Sequence, residues 1–118
     1  MKKDIFRYSH CPMHRSMAIL GNKWKPIIIY ALRNRTARFG QIHATIGTIS
    51  KKVLTSVLKD LEADGILTRE EFKELPPRVE YTLTEKGQSL IPIIIDLARW
   101  DNKHYESKAE MKETEAAE

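Results

Sequence analysis

The sequence predicts a mainly helical α+β domain: two helices joined by a tight turn, a β-hairpin directly behind them, and a further helix at each end. Three observations carry this. The stretch Ser50–Gly65, SKKVLTSVLKDLEADG, separates into an apolar and a polar face when wound at about 100° per residue. A shorter stretch of helical periodicity, Phe39–Ile46, precedes it across only Gly47-Thr48-Ile49. Two segments, Ile66–Lys73 and Val79–Leu83, follow it around the proline-stiffened turn Glu74–Arg78.

The bulk properties bound the function. A chain of 118 residues, 42% apolar and 31% charged, is a single globular domain with one modest core. No run approaches the ~18 apolar residues of a membrane span, and the longest, Ile27–Leu32, belongs inside a helix. The N-terminal MKKDIFRYSH has two lysines but no apolar segment of a secretory signal. One cysteine excludes an internal disulfide, so a cytoplasmic location is expected. The net charge of +4 is uneven: Glu106–Glu118 holds five glutamates and two lysines, which leaves +7 on residues 1–105. A compact basic body points to a polyanionic partner, with RNA as well as DNA open on charge alone.

Residues 1–10 read as an N-terminal arm, and Cys11-Pro12 opens the first helix with Pro12 at N1, where its missing N–H costs nothing. Met13, Met17 and Leu20 share one face before Gly21 ends the helix; so short an apolar helix must pack on the body or on a partner. A second helix is expected over Lys23–Asn34, burying Trp24, Ile27, Ile28, Ala31 and Leu32, with Pro26 tolerated in its first turn. A short strand at Thr36–Arg38 leads to the third helix, Phe39–Ile46.

In the fourth helix Leu54, Val57, Leu58 and Leu61 form the core stripe, while Lys52, Thr55, Ser56 and Lys59 fall opposite. Ser50 is placed to accept a first-turn N–H, and Gly65 sits at the left-handed C′ position. The polar face is cationic and short-chained, as a phosphate-lined groove requires. A hairpin directly after such a helix pair is a wing, with Arg78 at its tip able to reach a phosphate or minor groove. Thr84 caps a last helix whose first turns are irregular at Gly87 and Pro92. Leu90, Ile91, Ile94, Leu97 and Ala98 make its stripe, and Ile93, Ile95, Trp100 and Tyr105 spread onto other faces. One small domain cannot cover that much apolar surface, so a second chain is expected there. The fold class is therefore a winged helix-turn-helix over residues 11–106 with flanking N- and C-terminal dimerisation helices and a polar acidic tail at 107–118.

Several motifs occur in a fixed order: Cys11-Pro12, Gly21-Asn22-Lys23-Trp24-Lys25, Arg38-Phe39-Gly40-Gln41-Ile42, Ile49-Ser50-Lys51-Lys52-Val53-Leu54-Thr55, Leu61-Glu62-Ala63-Asp64-Gly65 and Pro76-Pro77-Arg78-Val79-Glu80-Tyr81. Together they closely resemble the HxlR-type transcriptional regulators, winged helix-turn-helix proteins related to the MarR group, over about Cys11 to Trp100. The resemblance implies a homodimer whose recognition helices enter successive major grooves of a pseudo-palindromic operator. It implies a dimer interface made by the first and last helices: Met13, Met17 and Leu20 with Leu90, Ile94, Leu97, Trp100 and Tyr105. It places Arg38, Gln41, Ser50, Lys51, Lys52, Thr55, Ser56, Lys59 and Arg78 against double-stranded DNA. Relatives often carry Gln or Arg where this helix has Lys or Ser, so base reading falls to Lys, Thr and Ser or to DNA shape.

Cys11 aligns with a cysteine that several such proteins use to sense oxidants or electrophiles. The alternative is a small residue packed at the dimer interface. At a helix N-terminus beside His10, His14 and Arg15, its thiolate is favoured by the helix dipole and by positive neighbours. His10, Cys11 and His14 offer only three clustered metal ligands with no second cluster, so no metal is expected. His43 and His104 stand alone as surface or interface residues. No phosphate-binding glycine loop and no nucleophile–base grouping is present, so no catalytic residue or cofactor is assigned and the chain is read as a non-enzyme. A protein-interaction module would carry apolar anchors on the Ser50 helix, and an RNA module exposed stacking aromatics; neither is found. The function read from the sequence is a sequence-specific DNA-binding transcriptional regulator, with Cys11 a candidate switch and no small-molecule effector legible.

Overall fold

A computed structural model describes the backbone of residues 9–117 and the side chains of residues 9–105. Most of the expected arm, residues 1–8, lies outside the described residues, as do the side chains of the acidic tail. The element order is α1 (Pro12–Leu20), α2 (Lys25–Ala31), β1 (Ala37–Arg38), α3 (Phe39–Ile46), α4 (Lys51–Ala63), β2 (Leu67–Phe72), β3 (Arg78–Leu83), α5 (Glu85–Gln88) and α6 (Ile91–Ala117). The sheet is antiparallel with strand order β1-β3-β2. The architecture is the winged helix-turn-helix read from the pattern, mainly helical with one small sheet.

The core joins α2, α3, α4 and the base of the hairpin. Ile28, Ile29, Leu32, Ile42, Leu54, Leu58, Leu61, Ile66 and Leu67 are fully buried there. Helix α4 buries the four residues its periodicity assigns: Leu54, Val57, Leu58 and Leu61. Its ends follow the expected chemistry. Ser50 Oγ accepts from Val53 N–H at 3.1 Å, and the C-terminus closes through Ile66 N–H to Leu61 O and Gly65 N–H to Glu62 O. That paired arrangement needs a left-handed residue at Gly65, which has φ +73°. Gly47, at φ +79°, ends α3 with its N–H on His43 O at 2.9 Å and opens the tight turn into α4.

Three boundaries differ from the sequence reading. Helix α2 spans Lys25–Ala31, well short of Lys23–Asn34. Its start is delayed because Asn22 Oδ1 captures Trp24 N–H at 2.7 Å in a local turn, and its end comes where Asn34 takes φ +56°. The buried face is rotated too: Ile29 is fully buried while Ile27 is 47% exposed. The last helix is two: α5 stops at Gln88, and α6 starts with Pro92 in its first turn and runs on to Ala117. The polar acidic stretch, expected either to fray or to extend the last helix, is helical through Ala117. In the hairpin β3 begins at Arg78 itself, and the tip is Glu74–Pro77 with Leu75 wholly exposed.

Thr84 ties these parts together. Its hydroxyl accepts from Gly87 N–H at 3.1 Å and donates to Gly65 O at 2.6 Å. Gly87 lies against the backbone at Ile66 so closely that any Cβ there would collide with the Ile66 carbonyl. Lys86 Nζ donates to Asp64 O at 2.9 Å. The end of the fourth helix is fastened to the start of the C-terminal pair.

Candidate nucleic-acid interface

The polar face of α4 is open. Ser50, Lys51, Lys52, Thr55, Ser56 and Lys59 are all exposed, on the side opposite the buried leucines. Thr55 Oγ1 donates to Lys51 O at 2.8 Å, so its hydroxyl is left with acceptor capacity on an exposed side chain. Val53, 38% exposed, is an apolar residue of the same first turns that the sequence reading did not assign. It lies about 100° around the helix from buried Leu54. Within the helix no carboxylate pairs with the lysines among the described residues, so their charge faces outward.

The approach to this helix is set by α3. Gln41 Oε1 accepts Arg38 N–H at 2.8 Å, which fixes the amide and leaves its NH2 free for a phosphate or base. Both residues are exposed and line one polar hollow with Thr36 and Glu80. The turn between α3 and α4 is closed by a residue the sequence reading set aside. His43 Nε2 lies 2.9 Å from Ile49 O; a carbonyl only accepts, so Nε2 carries the proton. The ring is half buried and stacked on Phe39 with centroids 6.4 Å apart. His43 is therefore the brace of the helix-turn-helix and not a lone surface group. A histidine six residues before the turn's end is a signal only once the turn is known.

Arg78 is placed otherwise than a free wing-tip cation. Its guanidinium lies over the Phe72 ring, with Cζ 4.1 Å from the centroid, and is flanked by Glu74 at 3.4 Å and Glu80 at 3.6 Å. The Glu80 distance is that of an ion pair only, since buried Nε has no hydrogen-bond partner. Residues 67–83 carry Glu70, Glu71, Glu74 and Glu80 against Arg69, Lys73 and Arg78, so the hairpin is slightly acidic. The interface charge sits on the helices.

At the other pole, large apolar side chains are exposed on α1, α2 and α6: Met13, Met17, Ile27, Tyr30, Ile93, Leu97, Trp100 and Tyr105. Of the residues assigned to the interface, Leu20, Leu90 and Ile94 are half buried against the chain's own core, and the other five face solvent. Cys11 is exposed at the N-cap of α1. Its N–H donates to Ser9 Oγ at 3.0 Å, the same hydroxyl contacts His14 Nδ1 at 3.1 Å, and Arg15 Nη1 donates to Ser9 O at 3.1 Å. One serine thus links the Cys11 backbone, a histidine and an arginine at the start of α1. Among the described residues no helix is long and apolar enough to cross a membrane.

Comparison with known proteins agrees with this geometry. The profile described as HxlR-like helix-turn-helix matches residues 19–109. An uncharacterized HTH-type transcriptional regulator of Halalkalibacterium halodurans is 44% identical over 104 residues, 87% of this chain and 92% of that one. Among solved structures, a transcriptional regulator of the MarR family from Porphyromonas gingivalis W83 superposes with a TM-score of 0.76 at 38% identity, covering 79% of this chain and 91% of that one. The redox regulator HypR in its reduced form superposes with a TM-score of 0.78 at 34% identity, covering 85% and 99%.

Proposed function

The chain belongs to the HxlR-like helix-turn-helix family of transcriptional regulators, which are not enzymes, and from that premise we propose that it acts in the cytoplasm as a homodimer on a pseudo-palindromic operator. The observation that carries this reading is the cationic face of α4, with Ser50, Lys51, Lys52, Thr55, Ser56 and Lys59 exposed above a buried stripe and Glu62 beside Thr55 and Lys59 at its C-terminal end. Lys51, Lys52 and Lys59 neutralise phosphates or reach guanine acceptors, and Val53 with the Thr55 methyl meets the thymine C5-methyl. Arg38 and Gln41 hold the backbone beside the groove. Arg78 acts from the wing by exchanging its two glutamates for a phosphate. Met13, Met17, Leu20, Leu90, Ile94, Leu97, Trp100 and Tyr105 form the contact with the second copy.

The reading is tested by titrating the protein onto the DNA upstream of its own gene and onto a mixed-sequence duplex at one salt concentration. Specific binding is expected to be at least about 10³-fold tighter. Equal affinity for both would remove the sequence-specific part.

We propose further that Cys11 is the regulatory thiol, on the support of its exposure, its place at the N-terminus of α1 and the Ser9-anchored His14 and Arg15 around it. The likeness to a redox regulator solved in reduced form supports the same role. Diamide is expected to weaken operator binding by about 10-fold or more in wild type, a coupling of the usual allosteric size, and to leave Cys11→Ser unchanged. The same loss in both proteins would refute the assignment.

A further inference from the structure

The short segment between α2 and β1 holds two arginines that neither the sequence motifs nor the family match assigns. Asn34 takes φ +56°, and the turn it makes brings Arg33 and Arg35 to one open cleft of about 430 Å³ lined by Ala31, Arg33, Asn34, Arg35 and Thr45. Both guanidiniums are held in place. Arg33 lies on the Tyr30 ring, with Cζ 3.7 Å from the centroid, and its Nη1 donates to Tyr30 O at 2.9 Å. Arg35 Nε donates to Ala31 O at 2.9 Å and its Nη2 to Thr45 Oγ1 at 3.2 Å.

Two features separate this pair from ordinary surface arginines. Among the described residues Arg69, Arg78 and Arg99 each face a carboxylate, at 3.4 to 3.8 Å, whereas Arg33 and Arg35, like Arg15 and Arg38, show no ion pair, and only Arg33 and Arg35 share one cleft. Each keeps several N–H donors unused after the bonds above, in the forked geometry that suits a phosphate. The second feature is continuity. Thr45 Oγ1 donates to Gln41 O at 2.8 Å, so it can only accept from Arg35, and Gln41 in turn accepts from Arg38 N–H. Gln41 and Thr45 are one turn apart on the exposed face of α3. A hydrogen-bonded row thus runs from Arg38 and Gln41 to Thr45 and Arg35, away from the wing and along the outer face of α3.

We propose that Arg33 and Arg35 together clamp one backbone phosphate of the bound duplex, extending the contact of each protomer beyond the helix-turn-helix and wing. The clamp rests on the DNA-binding reading above and deepens it. The contact carries no base information, so it strengthens specific and mixed-sequence binding alike. Thr45 orients Arg35, and Tyr30 orients Arg33.

The test measures the salt dependence of affinity for the upstream DNA and for a mixed-sequence duplex, using wild type, Arg33→Gln/Arg35→Gln, Arg35→Lys and Lys52→Ala. The double variant is expected to show a slope of log K against log salt shallower by about 0.9 per bound protomer, with the same fractional loss on both duplexes. Arg35→Lys keeps the charge and is expected to keep the slope; it also serves if the double variant unfolds. Its Arg33→Gln/Arg35→Lys counterpart then reports on Arg33 alone. A double variant with the wild-type slope, while Lys52→Ala changes it, overturns the clamp and leaves the DNA-binding reading standing. Failure of wild type to bind either duplex overturns the reading itself. A parallel titration with inorganic phosphate, read by NMR of the arginine side chains, separates the sources of the anion. Saturable free-phosphate binding with an unchanged DNA slope overturns the clamp in favour of a small-anion site.

Discussion

Replacing Lys52 and Lys59 together by alanine is expected to weaken DNA binding by about 10² to 10³-fold near physiological salt and to flatten its salt dependence by about 3.6 log units per decade of salt. The figure follows from counterion release of about 0.9 per neutralised phosphate, with two lysines in each of two protomers. Both side chains are exposed, on a helix whose opposite face is the core, so stability should change by no more than about 0.5 kcal/mol. The measurement is a fluorescence-anisotropy titration at several salt concentrations, with thermal unfolding as the control. An unchanged slope would mean that α4 does not lie against phosphates.

Leu97→Asp is expected to convert the dimer to a monomer and to reduce operator affinity by about 10² to 10⁴-fold, because two linked half-site contacts become one. Leu97 is 60% exposed in the protomer and lies beside exposed Ile93 and Trp100. A charge there costs the folded monomer little and an apolar interface a great deal. Sedimentation velocity reads the assembly state directly. Trp100 supplies a second readout: 61% exposed in one chain, its emission should shift to the blue on dimerisation and back to the red in the variant. A variant that stays dimeric would place the interface elsewhere, and a monomeric wild type would remove the dimer altogether.

The helix-turn-helix was legible because each part of it is specified locally. Ser50, Gly47 and Gly65 mark helix ends by chemistry that needs no partner, and the leucines of α4 repeat with the helical period. The hairpin was legible for the same reason, through alternation and the Pro76-Pro77 turn. Helix α2 was not, because Ile27 to Ile29 are chemically equal and only packing decides which two are buried. Its start depends on an asparagine side chain competing for one backbone N–H, which no apolar pattern records.

Long-range pairing accounts for the rest. The engagement of Arg78 requires Glu74, Glu80 and Phe72 to meet across a strand register, and the brace from His43 requires a carbonyl six residues on. The arginine cleft needs a left-handed asparagine and a threonine ten residues away. None of these has a sequence period. Each becomes visible only when the chain is folded.

The fastening of Gly65 and Ile66 to Thr84, Lys86 and Gly87 has a mechanical consequence. Helix α6 has 27 residues and is therefore a rod about 40 Å long, and its near end is bolted through α5 to the far end of α4. A rod of that length turns one degree of tilt into about 0.7 Å of travel at its tip. In the proposed homodimer, the same linkage would gear a small rearrangement between two such rods into a change of angle at the two α4 helices. The spacing of the two α4 faces in that dimer would then depend on the stiffness of the four-residue α5.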